Sequence, residues 1–407
     1  MVESVNRCAR SLRRRVLFAN PRQAWGGRGA RIGLRWRVSD TAHDSVIEGG
    51  TVWVLRMLDV ADQVDLDAAR KLTEGRGARR GEARIRGPEK GPAGVLLTTR
   101  PLDFDIGETT LGEMVFRTTV RVFDFGTVSV RFALDLAVGT PCRELAQMAA
   151  RIEQLEGVDA AARGVWAKLS EVFARTIRGA HAPDVIEDYV LFEVTRVRGC
   201  VDAEHALAAL QPARVILAEP DRALASAVIA SHLDRAIHYY ADDAAVIGWN
   251  AALVLDPDAS GDELELLEVA TARLLELRNY NQTIARELAR VYDAVAAARG
   301  SRGLFRSPFE PVTRRAAQLF VEMTDLYDRV EGAITLVGDT HAARLYREAE
   351  RRFRLDAYST AVKEKLATLA RVAEVFQAEI SHRRALVLET AVLLLIVFEV
   401  VLGLLHR

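Results

Sequence analysis

The longest apolar stretch of the chain occupies residues 385–405. Fifteen of these 21 residues are Leu, Ile, Val or Phe, and a helix of this length extends over about 31 Å, which matches the roughly 30 Å hydrocarbon core of a bilayer. The apolar side chains contribute about −5 to −9 kcal/mol to insertion, whereas a charge at mid-helix costs about 2.5–3.5 kcal/mol. The pattern predicts one transmembrane helix over 385–405; the alternative is a buried helix of a soluble core.

The charges that flank this segment predict its orientation. Arg383 and Arg384 lie immediately before it, and only His406 and Arg407 follow it. Positively charged flanks stay on the cytoplasmic side of a membrane. The sequence therefore predicts a tail-anchored, single-pass protein of the inner (cytoplasmic) membrane, with its N-terminal body in the cytoplasm and the lipid bilayer as its first partner.

Two carboxylates interrupt the apolar segment. Glu399 lies about two-thirds of the way along it, where a carboxylate is a candidate for function or for pairing with a second copy of the helix. The alternative is that Glu399 lies close enough to the far interface to be hydrated. Glu389 lies one turn inside the near boundary, and its side chain is expected to reach back to the interface.

The region before the apolar segment, residues 257–384, has a helical pattern alone. Apolar residues recur at three- and four-residue steps, and Asn281 occupies one position of this seam, where it either fixes the register or hydrates a crossing point. No helix breaker follows Asp356, so a second helix is expected to continue into the apolar segment over about 75 Å. These apolar stripes predict a helical stalk, coiled-coil packing and a homo-oligomer. The first stripe is Leu267, Ala270, Leu274, Leu277, Ile284, Leu288, Val291 and Val295, and the second is Tyr358, Val362, Leu366, Leu369, Ala373, Phe376 and Ile380.

Residues 46–256 mix strand and helix patterns and predict an α+β domain. A turn at 123–126 joins two alternating segments, which indicates a hairpin. Helical segments are expected from Pro141 to about Gly179 and over 203–210. The predicted strands are 51–60, 95–99, 114–124, 127–134, 189–197 and a short buried strand over 215–218.

Charge is distributed unevenly although the formal net charge is only −1. Residues 1–38 hold ten arginines against Glu3 alone, and 1–45 lack a hydrophobic period, which predicts a disordered basic arm. Anionic lipid, the ribosome or other RNA are its candidate partners, a mitochondrial transit peptide is a further interpretation, and a non-functional extension is the alternative. A second Gly-rich and Arg-rich stretch, 75–92, is expected to be a mobile loop. Few lysines and abundant alanine are typical of a bacterial, GC-rich coding sequence.

The sequence contains no motif that carries recognised chemistry. It has no phosphate-binding glycine loop, dinucleotide fingerprint, zinc-protease motif, nucleophile elbow or calcium loop. The three cysteines, Cys8, Cys142 and Cys200, are too far apart for a zinc ligand pair and do not form a disulfide framework. We therefore predict no catalytic residue, cofactor, metal ligand or small-molecule substrate.

One segment combines aromatic and acidic side chains before a strand and is the best candidate for a functional surface. Its residues are Tyr240, Asp242, Asp243, Trp249 and Asn250. A buried structural turn is the alternative. If the surface is functional, the protein is a membrane-tethered enzyme or nucleotide-binding protein that uses the α+β domain.

The C-terminal third resembles bacterial members of the required-for-meiotic-nuclear-division (RMD-like) family. The resemblance rests on Gly338-Asp339, Ala343 to Arg347, Arg352 to Leu355, Lys363 to Leu369, Arg383-Arg384, Leu388-Glu389 and Glu399-Val400. It implies an α/β body, a helical region and a C-terminal membrane helix. Mitochondrial relatives are inner-membrane proteins that support organellar translation without an established enzyme activity. The resemblance thus implies an anchoring or scaffolding role, and the sequence as a whole predicts a tail-anchored membrane scaffold.

Overall fold

A central antiparallel strand, β1, organises the computed structural model, which describes residues 45–73, 95–97, 99–299, 310–332, 334–336 and 341–405. The predicted N-terminal arm up to residue 44 and the whole of the predicted loop at 75–92 lie outside these residues. The described strands are β1 Val46–Asp59, β2 Gln63–Val64, β3 Val95–Leu97, β4 Leu102–Leu111, β5 Met114–Val122, β6 Thr127–Asp135, β7 Thr140–Pro141, β8 Ile177–Arg178, β9 Ile186–Val197, β10 Ala244–Ile247, β11 Ala251–Leu255 and β12 Ile334–Leu336.

The described helices fall into two groups along the chain. Short helices alternate with the strands, and four longer ones follow the last strand of the main sheet. They are α1 Leu66–Thr73, α2 Glu144–Glu153, α3 Val158–Phe173, α4 Ala203–Leu210, α5 Pro212–Ile216, α6 Ser226–Leu233, α7 Asp262–Arg299, α8 Glu310–Gly332, α9 His341–Phe353 and α10 Leu355–Leu405. The expectation of an α+β fold with helices after a mixed sheet is confirmed.

The main sheet has the strand order β10-β11-β9-β1-β6-β5-β4, and β7 also pairs with β1. Neighbouring strands are antiparallel except β11 and β9, which are parallel. The predicted hairpin is present as β5 and β6, with Val122 opposite Val128. Gly126 in its turn has φ +93°, and a Cβ there would overlap the carbonyl oxygen of Ala61. The turn therefore requires glycine both for its backbone conformation and for its contact.

Both faces of the sheet are buried, and alternate residues of β1 belong to different cores. Val52 and Val54 face the first core, which α2, α3, α4 and α5 help to cover. Leu55 and Met57 face the second core, which contains side chains of α7, α8, α9 and α10. Because successive side chains of a strand point to opposite faces, this alternation places the sheet between two helical layers.

The long helices form the second layer around α7, which has 38 residues. Arg273 of α7 donates to Glu331 of α8 at 2.8 Å and to Glu350 of α9 at 2.6 Å. Lys365 of α10 donates to the carbonyl oxygen of Asn281 at 2.8 Å. The predicted continuous helix from 356 is thus present as α10, and its N-terminal part packs on α7.

Two predicted elements are wrong, both because short apolar segments are ambiguous. Residues 215–218 are not a strand: α5 ends at Ile216 and begins with a proline in its first turn, and a run of four apolar residues does not distinguish a strand from a buried helix. Pro141 does not open a helix but lies in β7, opposite Val46, and α2 begins at Glu144. Strand β4 was not predicted from the sequence. Helices α8 and α9 lie within the region 257–384 that was predicted to be helical, but β12 is a strand inside that region.

Within the residues that the structure describes, none of the helices carries an apolar stretch long enough to cross a membrane. The side chains of Arg383, Arg384 and Glu399 lie outside the described part of the chain. The side chain of Glu389 is described and is exposed.

Candidate functional site

The surface predicted around Asp242 and Asp243 is a loop that leads into β10. The two carboxylate oxygens of Asp243 accept hydrogen bonds from the backbone N–H groups of Tyr239, at 2.7 Å, and Tyr240, at 3.0 Å. Such bonds are typical of an aspartate that stabilises a turn. Tyr240 is 62% exposed, and Asp242 is exposed beside it.

Trp249 and Asn250 lie apart from that loop, in the turn between β10 and β11. The carbonyl oxygen of Asn250 accepts a hydrogen bond from the N–H of Val190 at 3.0 Å. The ring of Trp249 lies edge-on to Phe353, with 6.5 Å between the ring centroids. The five predicted residues thus occupy two turns at the ends of β10, and their functional role stays a prediction.

Asn281 lies where α7 crosses α10, as its bond with Lys365 indicates. Its side-chain oxygen is buried, and no hydrogen-bond partner for that oxygen is present among the described residues. The role predicted for Asn281, to fix the register or to hydrate the crossing point, stays a prediction.

A cleft that the sequence did not reveal lies where the sheet meets the long helices. Its volume is about 270 Å³. It is lined by the C-terminal end of β1 and the loop after it, the loop at 181–185, one face of α7 and two side chains of α8. Clefts at such junctions between structural layers are common ligand sites.

Asp59, His181 and Asn279 form one polar group of this cleft. Nε2 of His181 lies 3.2 Å from Oδ1 of Asp59, whose side chain is only 7% exposed. The side-chain amide of Asn279 donates to Oδ2 of the same carboxylate. The hydrogen bond to Asp59 raises the pKa of His181 to about 9, although burial opposes the shift. At neutral pH the cleft therefore holds an imidazolium paired with a carboxylate.

Glu276 and Tyr280 of α7 form the second polar group. The hydroxyl of Thr127 donates to Oε1 of Glu276, which is 1% exposed. Burial, together with the nearby Asp59, raises the pKa of Glu276 to about 8. Burial also raises the pKa of Tyr280 well above its ordinary value, and the neighbouring Glu276 adds to this effect. Burial therefore favours the protonated form of Glu276.

Ionised side chains next to these groups hold α7 on the sheet. Both Nε and Nη2 of Arg131 donate to Glu268, at 2.6 and 2.8 Å. Arg121 donates to both oxygens of Asp103 at 2.7 Å and to Glu265 at 2.8 Å. Burial acts to raise the pKa of Asp103, but the Arg121 hydrogen bond and the charge of Arg131 outweigh it, so the pKa is lowered. This cluster is a structural connection, because both guanidinium groups are used in ion pairs.

A glycine turn and two backbone hydrogen bonds hold the loop at 181–185 beside the end of β1, where Asp62 and Asp184 line the cleft. Gly179 has φ +62°, and a Cβ at this position would overlap the carboxylate of Asp62. The N–H of His181 donates to the carbonyl oxygen of Val60 at 3.0 Å, and that of Asp62 to Arg178 at 3.1 Å. These bonds hold the loop at 181–185 beside the end of β1, so that Asp62, His181 and Asp184 all line the cleft.

The sequence carried one signal for this site that was missed. Glu268 and Glu276 interrupt the most apolar part of α7, and eight residues are a little over two helical turns, so both face the same side. Two carboxylates on a buried helix face indicate partners on the opposite layer. In the described part of the chain, no group of three or more His, Cys, Asp or Glu side chains is placed to hold a metal ion.

Comparison with known proteins gives one match. A family model described as "Uncharacterized protein MJ0711, N-terminal domain" matches residues 49–262. The matched range begins within β1 and ends at the first residue of α7. No curated protein and no solved structure matches the chain.

Proposed function

This chain belongs to the family of the uncharacterised protein MJ0711, N-terminal domain. We propose that it is a tail-anchored membrane scaffold. The family description names no activity. The proposed function therefore rests on the C-terminal half of α10, which lies beyond the matched residues.

The observation that carries the proposal is the exposure of apolar side chains on α10. Seven consecutive large apolar residues, 392–398, are each 52–67% exposed. Seven residues cover nearly two turns, so every face of the helix is apolar and uncovered. A helix that is apolar all round is stable when it is buried in a protein core or in lipid. Further exposed side chains on the same segment are Leu386, Leu388, Val401 and Leu402.

The first half of α10 differs and belongs to the body. Val362, Leu366 and Leu369 are buried in the second core, and Tyr327 of α8 lies 2.7 Å from the hydroxyl of Ser359. The helix thus changes from one buried stripe to an apolar surface on all sides. We propose that residues 385–405, which include side chains outside the described part of the chain, span the membrane after Arg383 and Arg384, with the body in the cytoplasm and the anchor in the inner membrane.

The helical stripes that predicted a homo-oligomer are used within one chain. Leu267, Leu274 and Ile284 of α7 and Val362 and Leu369 of α10 share the second core. Self-association of the scaffold is therefore proposed through the membrane segment, where Glu399 would meet its counterpart in a second copy. The RMD-like resemblance of the C-terminal third supports the same anchoring role.

Membrane fractionation of cells that express the full chain tests the anchor. The protein should sediment with membranes and resist extraction at high pH, and Leu394→Lys with Leu395→Lys should move it to the supernatant. Both leucines are exposed, so their replacement leaves the packing of the body intact. Val375→Lys is the matched control, because Val375 is 60% exposed on the same helix but precedes the segment. Recovery of the unaltered chain in the supernatant would refute the proposal.

Protease treatment of sealed inverted vesicles tests the orientation. The body should be digested without detergent, and protection of the body would contradict a cytoplasmic location. Deletion of residues 1–45 separates this role from a ribosome or RNA tether, since a tether would lose co-sedimentation with ribosomes while the anchor would remain in the membrane.

The alternative of an enzyme at the loop before β10 has its own test. Asp242→Asn is the informative variant, because Asp243 holds the turn and its replacement would alter the backbone. A scaffold should keep its partners when Asp242 is replaced, whereas an enzyme or nucleotide-binding protein would lose turnover or binding.

A further inference from the structure

Two cysteines that are far apart in sequence lie on the two sides of the start of β1. On one side β7 pairs with β1, and the N–H of Cys142, directly after β7, donates to the carbonyl oxygen of Ser45 at 3.1 Å. On the other side β9 pairs with β1, and the N–H of Arg198 donates to the carbonyl oxygen of Val46 at 2.8 Å. Cys200 follows two residues later, so the sheet register brings both cysteines to the same end of β1.

The turn after β9 directs Cys200 back towards that end. The N–H of Cys200 donates to the carbonyl oxygen of Val197 at 3.3 Å, and Gly199 has the left-handed φ of +83° that closes this turn. The side chain of Ser45 forms a hydrogen bond with the Cys200 thiol. Ser45 therefore contacts both cysteines, one through its backbone and the other through its side chain.

Both thiols also face the same side of the sheet. Cys142 is 2% exposed and belongs to the first core, and Cys200 is half-buried and packs against that core. Both cysteines are free thiols. Burial raises the pKa of Cys142 to about 12, and the nearby Cys200 adds to this effect. Because such a charge effect weakens with distance, it agrees with the register in placing the two thiols near each other.

Neither thiol has the environment of a catalytic nucleophile. Burial raises the pKa of Cys200 as well, although the hydrogen bond from Ser45 opposes the shift. The thiolate is the reactive form of cysteine, and a strongly oxidising disulfide is one whose thiolate is stabilised. A pair with two destabilised thiolates is therefore suited to a disulfide that holds structure rather than to one that exchanges rapidly.

We propose that Cys142 and Cys200 form a reversible disulfide that closes when the surroundings of the body become oxidising. The bond joins the segment after β7 to the turn after β9 and so holds the start of β1 between them. In a reducing compartment the pair stays as two thiols. The proposal concerns the body of the protein and does not depend on the membrane anchor.

The oxidant is a small disulfide such as oxidised glutathione. Cys200 reacts first because it is the more exposed thiol: its thiolate bonds to one sulfur of the oxidant, the S–S bond breaks, and one glutathione leaves. The sulfur of Cys142 then attacks the sulfur of Cys200 and displaces the second glutathione. The two cysteine protons end on the two glutathione thiols, so the cysteines lose two electrons and the oxidant gains two.

Peptide mapping of the detergent-solubilised full chain tests the proposal. The folded chain is incubated with oxidised glutathione and then denatured and digested with trypsin in excess N-ethylmaleimide, which blocks the remaining thiols. Trypsin places Cys142 in the peptide 132–143 and Cys200 in the peptide 199–214, each with a single cysteine. We expect the two peptides to be joined, with a mass about 2 Da below their sum because two hydrogen atoms are lost, and to separate on treatment with dithiothreitol.

Two other products would overturn the proposal. Glutathione on 199–214 without a link to 132–143 would show that the two sulfurs do not reach the short separation that a disulfide requires. Maleimide on both peptides would show that the pair is not oxidised at all.

Single substitutions identify the partners. Cys8→Ser is the matched control, because Cys8 lies outside the described residues and its loss should leave the link intact. Cys142→Ala should leave Cys200 as a mixed disulfide with glutathione, and Cys200→Ala should leave Cys142 labelled by maleimide. Alanine is smaller than cysteine and brings no polar group into the core, so both variants are expected to fold. Loss of the link in Cys8→Ser, or a link of either peptide to Cys8 in the parent, would refute the assignment.

Discussion

His181 and Asp59 form an ion pair between the loop at 181–185 and the end of β1, with 3.2 Å between Nε2 and Oδ1. Asn279 donates to the other oxygen of the same carboxylate. The pair therefore connects three segments that are far apart in sequence: the central strand, a surface loop and the long helix α7.

This pair predicts a pH dependence of stability in the alkaline range. The pKa of His181 is raised to about 9 from an ordinary 6.5, so its stabilising effect is complete below pH 6.5 and decreases as the pH rises through 9. NMR titration of His181 should give a pKa near 9, and Asp59→Asn should return it towards 6.5. An unchanged pKa in Asp59→Asn would exclude the ion pair as the cause.

Glu276 predicts a second loss of stability with rising pH, which begins at a lower pH than the loss that His181 causes. Its pKa is about 8 in the folded chain against 4.5 as a free side chain. The unfolded chain releases this proton first, so stability decreases as the pH rises from 4.5 to 8 and this contribution is constant above it. Glu276→Gln keeps a neutral side chain at every pH and should be more stable than the parent at pH 8, by about 2–5 kcal/mol.

Urea unfolding of both proteins at pH 5 and at pH 8 measures this effect. The difference between parent and Glu276→Gln should be small at pH 5 and grow towards pH 8. A difference that does not change with pH would mean that the parent glutamate is ionised in the folded state.

The buried ion pairs of Arg121 and Arg131 predict a large cost for losing Glu268. Glu268 is fully buried, and its removal leaves two guanidinium groups with a reduced set of partners. Glu268→Ala should destabilise the fold by about 3–5 kcal/mol, because two buried guanidinium groups lose the carboxylate that they share. The free energy of unfolding in urea is the measurement.

Asp135→Ala is the control for that comparison. Asp135 accepts from Arg117 at 3.2 Å, and the two side chains are 71% and 55% exposed. Solvent screens such a pair, so its loss should cost at most about 1 kcal/mol. Similar costs for the two substitutions would show that the buried cluster is more hydrated than its packing indicates.

Two glycines have nearly the same positive φ but different surroundings. Replacing each by alanine distinguishes the cost of the backbone conformation from the cost of a steric clash. Gly126 and Gly139 have φ +93° and +91°, but only Gly126 faces a close neighbour, the carbonyl oxygen of Ala61. Gly139→Ala should cost about 1–2 kcal/mol from the left-handed backbone alone. Gly126→Ala should cost about 2–3 kcal/mol more, because β1 and the hairpin turn must separate. Equal thermal stabilities of the two variants would refute the close contact.

Elements with a strong local pattern could be predicted from the sequence. The hairpin of β5 and β6, strand β9 and helix α7 all have a clear apolar period, which is sufficient to identify them. Strand β4 was missed because residues 105–108 and 110 are exposed and carry few apolar side chains. The hydrogen bonds to β5 hold these residues as a strand, although their own sequence has little apolar alternation.

The cleft could not be predicted by the same reasoning. Asp59 and His181 look ordinary in their own segments, and only the packing of α7 on the sheet brings them close to Glu276. The surface around Tyr240 was predicted because its residues are adjacent in sequence, and its functional role stays a prediction. A cleft that is formed by tertiary contacts has no such local pattern.

Helix α10 begins in the second core, where Leu355 is fully buried, and continues for 51 residues without interruption. A rigid rod with one end fixed in the body gives that body little freedom to swivel about whatever holds the other end. If the proposed anchor holds the C-terminal end of α10, this continuous helix would transmit the tilt of the anchor to the sheet.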